Sequence, residues 1–235
     1  MNLVNSSPPP SEAQDRVRPD FSWSEVETIF LDMDGTLLDK YYDDYFWEHY
    51  VPENYARKNN LNHAEARQKL LGTYQRVENT LQWTDLDYWS ERLGLDIAHL
   101  KKEVSHLVNI HPHVIDFLAY MDELGKKVYL VTNAHPKALQ VKMDKVKLEK
   151  WFQRLICSQE VGAAKEQPPF WHKLQEILPY AKETTLFADD TEKVLHSAAG
   201  YGIQHLIHIA KPSSRLEARH SLHYPSILSF RELMF

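Results

Sequence analysis

Five short apolar runs along the chain have the pattern of β-strands that are covered on both faces. Each run is continuously apolar, β-branched or aromatic instead of alternating with polar residues, as a parallel sheet buried beneath helices requires. The predicted strands span residues 28–31, 127–131, 155–157, 185–188 and 205–209. Most intervals between them show helical periodicity, and this alternation predicts an α/β fold with a doubly wound, Rossmann-like parallel sheet.

Two of the predicted helices carry both an apolar stripe and a boundary signal. One starts in the segment Glu166-Gln167-Pro168-Pro169, where the prolines lack only N–H groups that the first helical turn leaves unused. The other can be capped by Thr191 and ends near Gly200 and Gly202. The apolar stripes consist of Phe170, Leu174, Ile177 and Leu178 in the first helix and of Val194, Leu195 and Ala198 in the second.

Residues 41–110 interrupt the alternation with a long stretch that has no convincing strand. Helical patterns occur there at residues 64–77 and 100–108. The stretch is far longer than the about 2 to 6 residues of most strand–helix connections. We therefore predict an all-helical cap at residues 41–110, inserted into a core formed by residues 21–40 and 111–235. The polar, proline-rich residues 1–20 predict a flexible N-terminal arm.

Composition and charge narrow the class of protein. Lys and Arg total 27 against 33 Asp and Glu, for a net charge of −6, without the basic excess of a nucleic-acid binder. No apolar run is long enough to span a membrane, and the N-terminus lacks the pattern of a secretory leader. The single cysteine, Cys157, excludes an internal disulfide. These features predict a cytoplasmic protein without a nucleic-acid or membrane partner.

Two carboxylates, Asp32 and Asp34, directly follow the first predicted strand. In open parallel sheets, ligands bind just beyond the carboxyl ends of the strands. We expect the turn at Gly35 to bring both carboxylates to one site. Asp-Gly-Thr is also common turn chemistry, and Asp34 alone could serve only that purpose. A role in the turn alone would not explain why a second carboxylate, that of Asp32, lies at the edge of a buried strand.

Three more predicted strands end in polar residues. Thr132 and Asn133 follow the second strand, Asp189 and Asp190 follow the fourth, and Lys165 comes eight residues after Cys157. Taken singly, these residues have ordinary alternatives, namely a helix cap, an acidic helix start and an exposed loop lysine. Taken together, they project from one end of one sheet. Four carboxylates gathered there, Asp32, Asp34, Asp189 and Asp190, need a hard cation with oxygen ligands, and Mg²⁺ fits best.

The set Asp32-x-Asp34-Gly35-Thr36, Thr132, Lys165 and Asp189-Asp190 resembles the four motifs of the haloacid dehalogenase superfamily in order and spacing. The long insertion after the first motif looks like that superfamily's helical cap. Residues 45–47, 83–91, 132–136 and 186–190 are also similar to segments of bacterial GMP/IMP-type 5′-nucleotidases within the superfamily. The likeness covers roughly residues 23–210.

This resemblance implies an Mg²⁺-dependent phosphate monoester hydrolase. It assigns Asp32 as the nucleophile that forms an aspartyl-phosphate and Asp34 as the acid that protonates the leaving group and then activates water. Lys165 would neutralise charge, and Thr132 and Asn133 would bind phosphate oxygens. The implied metal ligands are Asp32, the backbone carbonyl of Asp34, and Asp190, with Asp189 binding directly or through water.

Two departures from the resemblance and two alternatives remain open. Many superfamily members have Gly-Asp where this chain has Asp189-Asp190, and relatives often carry Pro-Gly at His111-Pro112-His113, which we interpret as a hinge or helix start.

A halide needs no proton on leaving, so Asp34 favours phosphoryl transfer over dehalogenation. A sugar-phosphate phosphatase or phosphomutase is the first alternative. A catalytically silent binding module is the second, although such a module would be expected to lack some of these carboxylates.

Aromatic residues in the predicted cap bear on the substrate. They include Tyr41, Tyr42, Tyr45, Phe46, Trp47, Trp83, Tyr88 and Trp89. Such rings can stack on a purine base, but aromatic residues of helical lobes also commonly form the core. The preference for purine nucleoside monophosphates therefore comes mainly from the resemblance.

Overall fold

The computed structural model describes Val17, residues 19–78 and residues 80–235. Most of the predicted N-terminal arm at residues 1–20 therefore lies outside the described residues. The first described helix is the 3₁₀-helix Trp23–Glu25. The indole of Trp23 donates a hydrogen bond to the carbonyl of Leu233 (2.9 Å), which fixes the start of the fold against the end of the chain.

A six-stranded, fully parallel sheet forms the centre of the molecule, in the order β3-β2-β1-β4-β5-β6. The strands are β1 (Thr28–Leu31), β2 (Lys127–Thr132), β3 (Arg154–Cys157), β4 (Thr185–Asp189), β5 (His205–Ile209) and β6 (Ser226–Ile227). The five predicted strands are confirmed to within one residue at each end. The sixth is only two residues long, too short to leave a recognisable pattern.

Both faces of the sheet are covered, which explains the continuous apolar runs. In β1, Ile29 and Leu31 belong to one hydrophobic cluster, whereas Phe30 between them belongs to a second cluster on the other face. Strand β4 repeats the arrangement with Leu186 and Phe187. The doubly wound α/β fold is therefore confirmed.

The helices that flank the sheet are α7 (Val114–Glu123), α8 (Pro136–Val146), α9 (Ser158–Val161), α10 (Pro168–Ile177) and α11 (Glu192–Tyr201). Helix α10 starts at the predicted proline, but Leu178 lies just after its end instead of on its apolar face. Thr191 precedes α11 as predicted, yet its hydroxyl does not cap the helix and instead contacts the Asp190 carboxylate at 3.3 Å.

Between β1 and β2 the chain forms a run of helices. It consists of α1 (Tyr41–Tyr45), the π-helical turn Phe46–Tyr50, α2 (Val51–Asn59), α3 (His63–Tyr74), α4 (Leu81–Thr84), α5 (Leu86–Leu93), α6 (Ile97–Glu103) and the 3₁₀-helix Ser105–Leu107. We call residues 41–110 the cap segment, and apart from Asn79, which lies outside the described residues, no strand element occurs in it. The helix expected at 64–77 ends at Tyr74, and the one expected at 100–108 is divided between α6 and the 3₁₀-helix.

The two ends of the cap segment are tied together where they meet the sheet. Leu38 and Ile110 form an antiparallel bridge. The amide of Asp39 donates to the carbonyl of Asn109, and the amide of His111 donates to the carbonyl of Leu37, each at 2.9 Å. The chain therefore leaves and re-enters the core side by side.

None of the helices in the described ranges combines the length and the apolar character needed to cross a membrane.

Candidate active site

The carboxyl ends of the central strands bring all the predicted site residues to one cavity. Asp32 directly follows β1, and its amide donates to the carbonyl of Ala188 in β4 at 3.0 Å. Thr132 is the last residue of β2, and Asp189 is the last residue of β4. The cavity has a volume of about 510 Å³, and its lining includes Asp32, Asp34, Thr132, Asn133, Lys165, Asp189 and Asp190.

Lys165 lies at the floor of this cavity and not in an exposed loop. Its Nζ is 2.5 Å from Oδ1 of Asp32 and 2.7 Å from Oδ2 of Asp189, and its side chain is only 2% exposed. Burial alone would lower the pKa of Lys165, but the neighbouring Asp189 and Asp32 outweigh it and raise that pKa above its ordinary value. The lysine is therefore held as an ammonium group between two carboxylates.

Three carboxylates, those of Asp32, Asp189 and Asp190, have oxygens within 4.8 Å of one another. Burial is the main reason that the pKa of Asp189 is raised to about 8, and it also raises the pKa of Asp32. Two ammonium groups face the three carboxylates, Lys165 and Lys40, the latter with its Nζ 2.9 Å from Asp190. The hard oxygen donors of the three clustered carboxyl groups fit a divalent cation such as Mg²⁺.

Gly35 permits the close approach of the first and last motifs. Its φ is +87°, a conformation that side chains rarely allow. A Cβ at this position would lie 2.6 Å from Oδ2 and 2.7 Å from Cγ of Asp190. Glycine therefore serves both the turn after Asp34 and the space that the Asp190 carboxylate occupies.

Thr132 and Asn133 differ in what their side chains can offer a ligand. The buried Thr132 hydroxyl accepts a hydrogen bond from the amide of Ala134 at 3.0 Å, so its own proton can still be donated. The Asn133 amide instead donates to Glu166 and accepts from the backbone amide of Lys165, both at 2.9 Å. Asn133 thus braces the loop that carries Lys165.

Several charged residues near the site were not anticipated from the sequence, and four of them form ion pairs there. Lys142 lies 2.6 Å from both Asp34 and Asp43, and Lys101 lies 2.7 Å from Asp43. Burial is the main reason that the pKa of Asp34 is raised to about 7, although Lys142 opposes it. The fourth residue, Lys40, contacts Asp190.

The sequence pattern around Lys142 and Lys101 could have indicated that both lysines are buried. Lys142 comes four residues after Ala138, and Lys101 comes four residues after Ile97, both buried positions. Residues four apart share a helix face. A lysine in an apolar stripe is rarely buried unless it is paired. No comparable signal marks Asp43 or Lys40, whose partners come from distant parts of the chain.

Aromatic residues of the cap segment divide into core and cavity wall. Tyr42, Phe46 and Trp89 are at most 1% exposed and belong to the hydrophobic core. For these three rings, the alternative that cap aromatics form the core is therefore correct. Trp47 and Trp83 are half-buried and line the cavity, together with the exposed Glu48 and Arg67. The wall therefore combines aromatic faces with both signs of charge.

Comparison with known proteins identifies a family for this arrangement. The sequence profile of the haloacid dehalogenase-like hydrolases matches residues 26–202. The chain is 38% identical over 213 residues to the GMP/IMP nucleotidase YrfG of Escherichia coli (strain K12), covering 91% of this chain and 96% of that protein. It is 22% identical over 186 residues to a phosphorylated carbohydrates phosphatase of Thermotoga maritima, covering 77% and 84% of the two chains.

The fold has solved counterparts. A crystal structure of a HAD phosphatase from Thermococcus onnurineus matches with a TM-score of 0.74 and 22% identity, over 88% of this chain and 96% of that one. This likeness concerns the fold alone.

Proposed function

The chain belongs to the haloacid dehalogenase-like hydrolase family, and we propose that it is an Mg²⁺-dependent 5′-nucleotidase that acts on GMP and IMP. Phosphate monoester hydrolysis is the activity of the chain; the nucleotide, the metal and the residue roles are what we propose. The observation that carries the proposal is the contact of Lys165 with both Asp32 and Asp189 at the carboxyl ends of the central strands.

Asp32 is the proposed nucleophile. Its carboxylate oxygen attacks phosphorus, the bond from phosphorus to the ester oxygen breaks, and an aspartyl-phosphate forms on Asp32. Lys165 neutralises charge on the attacking carboxylate, and the Thr132 hydroxyl donates to a phosphoryl oxygen. Asp32, Asp189, Asp190 and the backbone carbonyl of Asp34 would hold Mg²⁺, which supplies positive charge against the phosphate oxygens.

Asp34 is the proposed acid and base. It gives a proton to the leaving alkoxide of the nucleoside, and it takes a proton from the water that then cleaves the aspartyl-phosphate. The two transfers balance, so the enzyme returns to its starting state with free phosphate released. A pKa of about 7, raised chiefly by burial, allows Asp34 to carry a proton and to lose it near neutral pH.

The cavity wall supports a nucleoside as the leaving group. Trp47 and Trp83 present half-buried aromatic faces at the side of the cavity formed by the cap segment. A purine base can stack on such faces, while Arg67 and Glu48 can pair with its oxo and N–H groups. The 38% identity to a GMP/IMP nucleotidase over 91% of the chain favours this substrate over a sugar phosphate.

A substrate panel tests the proposed nucleotidase activity. We expect phosphate release with Mg²⁺ to be fastest on GMP and IMP, slower on ribose 5-phosphate and glucose 6-phosphate, and abolished by EDTA. A sugar phosphate hydrolysed much faster than either nucleotide would contradict the substrate. Loss of substrate without an equal release of phosphate would instead indicate a phosphomutase.

Proton competition is expected to make metal binding depend on pH. A carboxylate must lose its proton to bind a metal, and burial raises the pKa of Asp189 to about 8 in the metal-free protein. The affinity for Mg²⁺ should therefore fall as the pH drops below 8, by up to about tenfold per pH unit for one displaced proton. Calorimetric titration with Mg²⁺ at pH 6, 7 and 8, in buffers of different ionisation enthalpy, measures affinity and proton release. Binding that is independent of pH and releases no proton would contradict this expectation.

A further inference from the structure

Beside the cavity lies a row of four alternating charges, Asp34, Lys142, Asp43 and Lys101. The Nζ of Lys142 is 2.6 Å from Oδ1 of Asp34 and 2.6 Å from Oδ2 of Asp43. The other oxygen of Asp43, Oδ1, is 2.7 Å from the Nζ of Lys101. Both lysine side chains are only 2% exposed. The proposed nucleophile, Asp32, takes no part in this row.

The row crosses from the core to the cap segment. Asp34 lies in the turn after β1, and Lys142 lies on α8, both in the core. Asp43 lies on α1 and Lys101 on α6, both in the cap segment. Lys142 is therefore the point at which a core carboxylate and a cap carboxylate share one ammonium group.

The cap end of the row is fixed by packing. The Nζ of Lys101 lies 4.3 Å from the ring centroid of Phe46 and 4.8 Å from that of Tyr42. The hydroxyl of Tyr42 also donates to the backbone carbonyl of Lys101 at 2.9 Å. Cation–π contacts of a desolvated ammonium group restrict its movement. Lys101 consequently holds Asp43 in one orientation, and Asp43 holds Lys142.

Stability alone is a poor explanation for this row. Burying an ion pair often contributes no more than apolar residues of similar size would, because both charges lose their hydration. A buried pair does, however, fix the direction of a carboxylate, and a reacting group must be held to within about 0.5 Å of its working position. Lys142 bonds to Oδ1 of Asp34, which leaves Oδ2 as the oxygen that can serve a ligand in the cavity.

We propose that Lys142 is a positioning residue for Asp34, and that Asp43 and Lys101 of the cap segment hold it in place. The inference rests on the proposed acid and base role of Asp34. In this arrangement the cap segment does more than line the cavity, because it sets the orientation of the carboxylate that protonates the leaving group. Lys142 keeps its proton throughout and acts only through Asp34.

Two esters with different leaving groups test this role. The 4-nitrophenolate of 4-nitrophenyl phosphate leaves without a proton, whereas the alkoxide of GMP needs one. The kcat/KM value reports the steps up to departure of the leaving group. In Lys142→Met we expect kcat/KM to fall about 100-fold for GMP. For 4-nitrophenyl phosphate it should fall less than about threefold, because the first step there needs no acid.

Matched variants complete the experiment. Lys145→Met on the exposed face of the same helix should leave both values unchanged. Asp43→Asn, which removes the anchor from the cap side, should lower kcat/KM selectively for GMP by about tenfold. If Lys142→Met does not fold, the double variant Lys142→Met/Asp43→Asn, which removes one charge of each sign, takes its place.

If kcat/KM of Lys142→Met falls equally for GMP and 4-nitrophenyl phosphate, or falls for neither, the positioning role is overturned. The proposed substrate is tested separately, with the wild-type protein. If that protein hydrolyses 4-nitrophenyl phosphate but not GMP, the nucleotidase proposal fails, and ribose 5-phosphate replaces GMP as the ester with an alkoxide leaving group.

Discussion

Replacing Asp32 by asparagine is expected to slow phosphate release by at least about 10⁴-fold, because an amide cannot attack phosphorus as a carboxylate does. The substitution keeps the shape of the side chain, and the hydrogen bond from the residue 32 amide to Ala188 does not involve the side chain. It also removes one of three crowded carboxylates, while Lys165 keeps its contact with Asp189. The Asp32→Asn protein should therefore fold as before and still lose turnover.

Three measurements check this expectation. Phosphate release from GMP gives the rate, thermal unfolding followed by circular dichroism shows whether the fold survives, and mass spectrometry after a rapid acid quench detects a phosphorylated peptide that contains residue 32. The matched control is Asp144→Asn, which alters an exposed carboxylate on α8 and should change none of the three. A well-folded Asp32→Asn protein that still releases phosphate at a comparable rate would rule out Asp32 as the nucleophile.

Lys165→Met is expected to lower both stability and activity. The change leaves Asp32 and Asp189 buried without their shared cation. Breaking a buried pair in this way destabilises a protein by about 3 to 5 kcal/mol. Loss of a charge that stabilises the transition state should also lower kcat by about 10² to 10³-fold.

The loss of stability in Lys165→Met should depend on pH in a defined direction. Burial already raises the pKa of Asp189 to about 8, far above the ordinary value of 3.8, and removal of the lysine raises it further. A carboxyl group with a raised pKa in the folded state destabilises the fold increasingly as the pH rises towards that pKa. The difference from the unchanged protein should therefore be larger at pH 8 than at pH 6.

Urea unfolding in EDTA at pH 6 and pH 8 measures both effects. Lys173→Met, which removes an exposed lysine from α10, is the control and should be neutral at both pH values. Added Mg²⁺ should restore part of the lost stability, since a divalent cation can offset the unpaired carboxylates. A Lys165→Met protein as stable as the unchanged one at pH 8 would show that the two carboxylates need no buried cation.

Much of the fold could be predicted because local pattern and tertiary structure agree. The strand β1 is flanked by β2 and β4 and covered on both faces, so every one of its residues is buried and the run is continuously apolar. The strand β6 has only two residues, Ser226 and Ile227, and is defined by its pairing with β5. Pairing between distant segments leaves no periodicity in a stretch that short.

The residues of the candidate site also differ in whether they could be identified from the sequence. Asp32, Thr132 and Asp189 could be identified because each stands at the end of a strand, and strand ends are recognisable from the sequence. The contact of Asp43 with Lys142 could not, because it depends on how α1 of the cap segment docks against α8 of the core. The roles of Trp47 and Trp89 also depended on docking, since both are tryptophans of one helical segment but only Trp47 lines the cavity.

The side-by-side crossing at Leu38 and Ile110 brings the two ends of the helical segment together at the edge of the core. A segment whose two ends are neighbours can be shortened, lengthened or replaced without altering the distance that the core must bridge. The register between β1 and β2 is set by their own pairing, from Thr28 with Lys127 to Leu31 with Leu130, and does not pass through the insertion. A change of length or sequence in the helical segment can therefore be accommodated without moving the strands, as long as the contact between Asp43 and Lys142 is kept.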